Sequence, residues 1–314
     1  MRLKDFLGIV LLASLWGPTF LATKIIVQEI PPMTLSFLRC FLASLSLLVI
    51  CKLQKQNLRP LLKNWKNFAI GGILGNALPF IFCSWGEIYV ASSTAGIIEG
   101  IIPILTLIFA FLLNPKQKLS KEQLAGVFLG FIGLLVIFFP GILSKDPLIN
   151  GPYNNEETIG KTLLILMSCC FALNFVFTKQ KFSSYPAISS VTMQMLYATI
   201  FLIPLTLYME SPLQLPIPSI KTILNMFALG SLGTAISWWL YNYLIKSISA
   251  TQLSLATYLC PIFAIVLGIF FLEENPTWNL YLGITIIIMA LALSCGAIKF
   301  HKKILNEPDS SFHP

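Results

Sequence analysis

The first hydrophobic stretch sets the class of fold, and residues 6–26 read FLGIVLLASLWGPTFLATKII. A helix needs roughly 20 mainly apolar residues to cross the hydrocarbon core of a bilayer, and this stretch supplies them with a single charge, Lys24. Arg2 and Lys4 precede it as in a signal peptide. The run is too long for one, however, and it continues through Trp16-Gly17-Pro18 without a small-residue cleavage site. We therefore predict a retained membrane-spanning helix.

Nine further stretches of this kind follow, so the sequence predicts an all-α polytopic membrane protein with ten transmembrane helices. They lie at residues 32–51, 68–86, 92–113, 123–139, 162–178, 186–209, 222–245, 250–272 and 277–298. The composition agrees, because 56% of the 314 residues are hydrophobic, the mean hydropathy is +0.80 and only 11% are charged. Soluble domains average about 25% charged residues. A soluble enzyme or a nucleic-acid-binding module is therefore disfavoured.

The positions of the charges predict the orientation. If the amino terminus is cytoplasmic, 16 of the 21 Lys and Arg residues lie in inner links and at the termini. Only Lys145, Lys161 and Lys221 lie in outer links, and eight of the 13 acids lie on the outer side, Glu87 among them. This is the positive-inside pattern, and it explains the net charge of +8 without nucleic acid. We expect a multi-pass protein of the inner membrane with both termini cytoplasmic.

The two halves of the chain repeat each other weakly. At an offset of 158, residues 72–76 (GILGN) fall on residues 230–234 (GSLGT), and Pro103 falls on Pro261. Near the start of each half, Phe20 falls on Phe175 at an offset of 155, and Pro32 falls on Pro186 at 154. Five helices per half is an odd number, so the second copy would enter the membrane from the opposite side. Inverted repeats of this kind are typical of alternating-access carriers.

The repeat divides the chain into four parts. Residues 1–140 form the first five-helix repeat, and residues 141–159 form an extracytoplasmic connector rich in Gly, Pro and Asn. Residues 160–299 form the second repeat, and residues 300–314 a cytoplasmic tail.

The order of the motifs resembles that of the EamA family in the drug/metabolite transporter superfamily, over about residues 6–299. The matching features are Leu15-Trp16-Gly17 with Phe20 and Lys24, Phe37-Leu38-Arg39 after Pro32, and Phe271-Leu272-Glu273 before Trp278 and Gly283. In the first half, Leu113-Asn114-Pro115 lacks the usual acidic residue. The resemblance implies a ten-helix carrier with a central cavity for small metabolites such as amino acids or nucleotide and sugar derivatives.

Three charged side chains lie within the predicted helices, and each is a candidate functional residue because burying an ion in hydrocarbon costs about 2.5–3.5 kcal/mol on insertion scales. Arg39 and Glu99 lie at similar depths, so an ion pair between them is one interpretation. The other is that Glu99 takes a proton or that Arg39 or Lys24 binds a substrate carboxylate. Lys24 also lies near enough to the helix end to reach the interface. Glu99 falls on Thr257 in the repeat.

Polar and aromatic residues at helical spacing predict the lining of a substrate site. The set comprises Trp16, Phe20, Lys24, Arg39, Asn76, Ser84, Glu99, Asn174, Thr178, Trp238, Tyr241, Asn242, Thr257 and Tyr258. Hydrogen bonding between helices is the alternative explanation of each polar stripe. Pro103 and Pro261 are predicted to lie in mid-helix as paired hinges or as plain kinks. The glycines of the fifth stretch predict close helix packing within the fold.

Residue types that would support catalysis or metal binding are sparse. The seven cysteines show no zinc or redox spacing and are expected to pack as small apolar side chains. Both histidines, His301 and His313, lie in the tail. We expect no metal, no cofactor and no enzymatic activity.

The sequence thus predicts a secondary transporter that exports amino acids or related amphipathic solutes by alternating access. A proton or a counter-substrate is the expected coupling partner, and the oligomeric state is left open. The alternative is a membrane-embedded assembly factor that has the transporter fold but does not transport.

Overall fold

The structure is a computed structural model, and it describes residues 2–114, 120–143, 155–263 and 278–294. Within these ranges the regular secondary structure is helical, without β-strands. The first half contains α1 (Leu3–Trp16), α2 (Thr19–Ile26), α3 (Pro32–Leu53), α4 (Trp65–Gly72), α5 (Leu78–Tyr89), α6 (Ser92–Glu99), α7 (Ile102–Leu113) and α8 (Lys121–Leu143). The second half contains α9 (Asn155–Phe182), α10 (Ala187–Glu210), α11 (Ile220–Gly230), α12 (Ser237–Leu244), α13 (Ala250–Ser254), α14 (described over 256–263) and α15 (Trp278–Ser294).

Seven segments of the described chain are long and apolar enough to cross a membrane. They are Leu3–Ile26, Pro32–Leu53, Arg59–Tyr89, Thr94–Leu113, Asn155–Phe182, Ala187–Glu210 and Ile220–Leu244. Each overlaps one of the ten predicted stretches. The fifth predicted stretch lies within α8, and parts of the ninth and tenth lie outside the described residues. The protein is therefore a multi-pass helical membrane protein, and the count of ten crossings stays a prediction.

Several predicted helices are interrupted rather than continuous. The first is broken at Gly17-Pro18, between α1 and α2. The fourth is broken at Gly100-Ile101, between α6 and α7. The prediction that Pro103 lies in mid-helix is wrong, because Pro103 is in the first turn of α7, where the missing N–H of proline has no carbonyl to bond. Pro261 lies in α14, which follows a further interruption at Leu255.

The two glycine-containing segments that align in the repeat are both π-helical. Ile73–Ala77 joins α4 to α5, and Ser231–Ile236 joins α11 to α12. In the second of these, the hydroxyl of Thr234 donates to the carbonyl of Leu229 at 2.7 Å. Short π-helical turns within α-helices are frequent at functional sites, because they turn side chains out of the regular helical register.

Hydrogen bonds along α3 and α10, which are equivalent in the repeat, show that these helices run antiparallel. At one end the Glu210 carboxylate accepts from the backbone N–H groups of Met33 and Thr34, at 2.9 and 2.7 Å. Further along, Ser44 contacts Thr199 at 3.0 Å. At the other end Cys51 contacts Thr192 and Gln56 accepts from Ser189. The start of each helix thus meets the end of its counterpart, as an inverted repeat requires.

The equivalent pair α8 and α15 is also antiparallel and packs backbone against backbone. An added Cβ at Gly126 would lie 2.7 Å from the carbonyl oxygen of Ala290. At the other end, an added Cβ at Gly283 would lie 2.7 Å from the carbonyl oxygen of Gly133. The glycines of α8 therefore allow close packing within the fold, as predicted.

The outer surface of the bundle is apolar. Leu45 and Val49 on α3 and Ile200 and Leu207 on α10 are exposed. An apolar belt of this kind is the surface that lipid tails cover. Most of the predicted connector and the whole predicted tail lie outside the described residues, and α9 begins at Asn155, within the stretch predicted as connector.

Candidate functional site

A cavity lies inside the bundle where the interrupted helices meet. The space between its walls, including the part that is open to solvent, is about 450 Å³. Its lining comes from eight helices and consists of Trp16, Thr19, Phe20, Arg39, Phe80, Cys83, Glu99, Phe171, Phe175, Trp238 and Thr257. A mainly aromatic wall with few polar groups suits a small organic ligand.

The aromatic wall follows the repeat. Four repeat-related pairs make up eight of the eleven lining residues: Trp16 with Phe171, Phe20 with Phe175, Phe80 with Trp238, and Glu99 with Thr257. The rings contact one another across the two halves, since Trp16 lies 6.2 Å from Phe175 and 5.8 Å from Trp238 between ring centroids. Tyr241 packs behind them, 4.8 Å from Trp238 and 4.9 Å from Phe175. Both repeats therefore contribute equivalent faces to one cavity.

Arg39 is the cation of the cavity. Its side chain is buried, its Nε donates to the Thr234 hydroxyl at 2.9 Å, and its Cζ lies 3.8 Å from the centroid of the Phe80 ring. The hydrogen bonds among the described residues leave both terminal guanidinium nitrogens without a protein acceptor. A guanidinium held at Nε and stacked on a ring presents these nitrogens as a fork that matches a carboxylate.

Glu99 also lines the cavity, and its Oε2 is buried without a hydrogen-bond partner among the described residues. The predicted ion pair with Arg39 is absent. The ion pairs of the described chain are Arg2–Asp5 and Glu157–Lys161, neither of them in the cavity. Arg39 and Glu99 do share the cavity, as their similar depth predicted, but Arg39 is drawn instead towards Thr234 and Phe80.

Five of the predicted polar residues are buried but do not line this cavity: Asn76, Ser84, Asn174, Thr178 and Asn242. Most of them form hydrogen bonds within or between helices. The hydroxyl of Ser36 donates to that of Ser84, Thr178 donates to Asn174, and Gln194 donates to Asn242, each at 3.3 Å. Asn76 is the exception, because neither polar atom of its side chain has a described partner. Their role in substrate binding stays a prediction.

Of the remaining predicted site residues, Tyr258 and Lys24 contact backbone carbonyls. Tyr258 donates its hydroxyl to the carbonyl of Val127 on α8 at 2.9 Å. Lys24 donates to the carbonyl of Val90 at 2.9 Å and also to that of Glu87. Lys24 therefore caps the end of α5, where the last carbonyls of a helix lack partners, and its position at the membrane interface stays a prediction.

Five lining residues were not predicted from the sequence: Thr19, Phe80, Cys83, Phe171 and Phe175. A usable signal existed for three of them, because Phe171, Phe175 and Phe80 are the repeat counterparts of Trp16, Phe20 and Trp238. Glu87, which is predicted to lie on the outer side, is in α5 and has no exposed surface. Two other acids assigned to the outer side accept hydrogen bonds near helix starts: Glu210 from Met33 and Thr34, and Glu29 from Ser219. Together with the Ser219 hydroxyl, this backbone N–H holds the pKa of Glu29 below its ordinary value of 4.5.

Metal binding and thiol cross-linking find no support in the part of the chain that the structure describes. It contains no group of three or more His, Cys, Asp or Glu residues that could hold a metal ion. The six cysteines in that part are free, and four of them are buried.

Two antiparallel repeats of membrane-length helices around an aromatic cavity are the architecture of a membrane transporter. The comparison with family models agrees, because the EamA-like transporter family model matches residues 4–139 and again residues 158–296. The chain belongs to this family, as its motifs predicted.

Several relatives carry transporter names. "Uncharacterized transporter YoaV" of Bacillus subtilis (strain 168) is 25% identical over 298 residues, covering 93% of this chain and 95% of the relative. "Uncharacterized transporter in trpA 3'region" of Buchnera aphidicola subsp. Schlechtendalia chinensis is 30% identical over 279 residues, covering 88% and 85%. "Uncharacterized inner membrane transporter YedA" of Escherichia coli (strain K12) is 24% identical over 283 residues, covering 89% and 86%. One crystal structure matches with a TM-score of 0.75 at 18% identity, over 95% of this chain and 98% of that chain, and shows the fold alone.

Proposed function

We propose that the protein is a secondary carrier that binds a small zwitterionic, amphipathic solute in the aromatic cavity and exports it by alternating access. Amino acids with apolar side chains, or close relatives of them, are the class that fits. The observation that carries the proposal is the convergence of Arg39 and Glu99 inside a wall of six aromatic residues.

The chemistry of the wall supports this class. The free terminal nitrogens of Arg39 match a carboxylate in two-pronged geometry. The unpartnered oxygen of Glu99 can accept from an ammonium group. The rings of Trp16, Phe175 and Trp238 offer apolar surface to a side chain and negative faces to a cation. A phosphorylated solute fits less well, since Arg39 is the only cation in the lining.

The symmetry of the wall supports the mechanism. The aromatic faces are equivalent in the two repeats, so an exchange of conformations between the repeats can open the same cavity to either side. The charges are not equivalent, since Arg39 falls on Met193 and Glu99 on Thr257. The rings therefore form the walls that move, and Arg39 and Glu99 determine which solute binds. The solute leaves chemically unchanged, with a proton or a counter-substrate as the coupling partner.

We also propose ten crossings, with both termini on the cytoplasmic side of the inner membrane. The excess of Lys and Arg in the links assigned to that side supports this orientation, and the name of YedA places one relative in an inner membrane. When fused behind Leu53, a reporter that works only in the cytoplasm is expected to be active, and one that works only in the periplasm is expected to be inactive. Periplasmic activity of that fusion would reverse the assignment.

Counterflow in proteoliposomes tests the proposed function. Vesicles loaded with an unlabelled mixture of amino acids are expected to accumulate a labelled apolar amino acid, recovered intact. Arg39→Met should abolish this uptake. Arg39→Lys should raise the solute concentration that gives half-maximal uptake at least about tenfold, because lysine cannot replace the guanidinium fork. Arg59→Lys, on an exposed arginine, is the matched control and should leave uptake unchanged.

Two results would contradict the proposal. If the Arg39→Met variant retains uptake, the cavity is not the binding site. If no amino acid, amine or carboxylate shows counterflow, the result would favour the non-transporting assembly factor. Uptake into everted membrane vesicles tests the export direction.

A further inference from the structure

Lys24 and Lys179 are equivalent in the repeat and form equivalent caps. Lys24 donates to the carbonyls of Glu87 and Val90 at the end of α5. Lys179 donates to the carbonyls of Ile245 and Ile248 at the end of α12, at 2.7 and 2.8 Å. The offset of 155 that relates the lysines and the offset of 158 that relates α5 to α12 place all four acceptors in register. Because the repeats are antiparallel, the two caps lie at opposite ends of the bundle.

The first cap contains a carboxyl group that the second lacks. Glu87 at the first cap corresponds to Ile245 at the second. Glu87 has no exposed surface, and its Oε2 has no hydrogen-bond partner among the described residues. Its Oε1 accepts a hydrogen bond only from the Cys83 thiol, at 3.7 Å. A thiol is a weak donor, and a buried carboxylate without strong donors is costly. The surroundings of Glu87 therefore fit a carboxyl group that carries a proton.

Few charged or titratable groups act on Glu87. Those that act on it most are Lys24 on α2, Arg39 on α3, Cys83 on α5 itself and Glu99 on α6. Arg39 is held at its Nε by Thr234 and stacked on Phe80, and it forms no ion pair with Glu87 among the described residues. Helix α9 packs on this end of α5 through the uncharged Gly160 and Leu164, both against Gly86. Lys24 is thus the cation free to respond to Glu87, because its present acceptors are neutral carbonyls, one of them the carbonyl of Glu87 itself.

We propose that Glu87 is a proton-binding site, separate from the solute cavity, and that its occupancy decides whether Lys24 caps α5 or pairs with the acid. With the proton bound, Lys24 holds the carbonyls of Glu87 and Val90. When the proton leaves to water, the carboxylate draws the ammonium of Lys24 away and the end of α5 loses its cap. Helix α5 carries Phe80 and Cys83 of the cavity wall, and α6, with Glu99, starts directly after it at Ser92. The proton is thereby linked to the shape of the cavity at one end of the bundle only.

Infrared difference spectroscopy of the purified full-length protein tests this site without knowledge of the solute. A carboxylic-acid C=O band that shifts in D₂O and disappears as the pH is raised is expected in the wild type. Glu87→Gln should remove it, whereas Glu87→Asp, which keeps the carboxyl group, should shift it. Glu99→Gln is expected to leave this band in place.

The lysines supply a matched pair of controls. In Lys24→Met the band should persist to more alkaline pH, because the cation that favours proton release is gone. Lys179→Met, at the equivalent cap without an acid, should leave its titration unchanged. A spectrum that Glu87→Gln leaves identical to that of the wild type would overturn the proposal. So would a band that does not titrate, or one on which the two lysine variants act equally.

Discussion

At the scale of single residues, the cavity combines a shared aromatic wall with unshared charges. Arg39 and Glu99 could be predicted from the sequence, because a charge within an apolar run is costly and therefore conspicuous. Their partners could not, since side-chain direction depends on packing that the sequence does not show. The complete burial of Glu87 could not be predicted for a related reason. It lies close to the end of its apolar run, and depth within the protein cannot be read from position along the chain.

Glu29 offers a prediction about pH at this scale. It lies between α2 and α3 and accepts from the backbone N–H and hydroxyl of Ser219, at 2.7 and 2.8 Å. Because these bonds lower its folded pKa below 4.5, their contribution to stability is fully present above that pH and is lost as the pH falls through the folded value. Glu29→Gln should therefore lower the thermal unfolding midpoint at neutral pH, and its difference from the wild type should vanish in acid.

The control for Glu29 is Glu122→Gln. Glu122 lies in the first turn of α8 and accepts no hydrogen bond from another helix among the described residues. It should show no comparable pH-dependent difference. An equal loss of stability in Glu29→Gln at neutral and acid pH would contradict the assigned hydrogen bonds.

At the scale of helices, the sequence predicted where apolar segments lie but not how they are interrupted. Hydropathy averages over a window, so it does not register a break of two residues such as Gly100-Ile101. The GxxG segments were visible as a repeat, yet their π-helical turns were not, because a π turn depends on tertiary packing rather than on local propensity. Pro103 was placed wrongly for the same reason: a proline within an apolar run can either kink a helix or begin a new one.

The contact between α8 and α15 leads to a prediction at this scale. Gly283→Ala places a Cβ 2.7 Å from the carbonyl oxygen of Gly133, so one backbone must move. We expect a loss of about 1–3 kcal/mol in unfolding free energy, the usual cost of overpacking. Denaturant titration of the protein in detergent micelles measures it.

Gly96→Ala on α6 is the matched control. An added Cβ there meets nothing within 4 Å, so helix propensity predicts a neutral effect or a gain of up to about 1 kcal/mol. Equal effects of the two substitutions would show that α8 and α15 are not in close contact.

At the scale of the whole molecule, the inverted repeat was the most informative prediction from the sequence. Its offsets locate the antiparallel pairs α3 with α10 and α8 with α15, as well as the paired rings of the cavity. The solute could not be predicted, because a weak repeat of apolar residues records the scaffold and not the few side chains that depart from it. Those departures, Arg39, Glu87 and Glu99, carry the specific chemistry proposed above.

Alternating access requires one cavity that opens in turn to the two sides of the membrane, and Cys83 in its wall offers a natural probe. A variant that keeps Cys83 as its only cysteine would be reconstituted in one orientation. A membrane-impermeant thiol reagent would then be applied from either side. The control keeps only Cys40, which is fully buried on α3 outside the cavity lining and should react from neither side. Alternating access predicts that Cys83 is modified from both sides. Modification from one side only, or from neither, would contradict it.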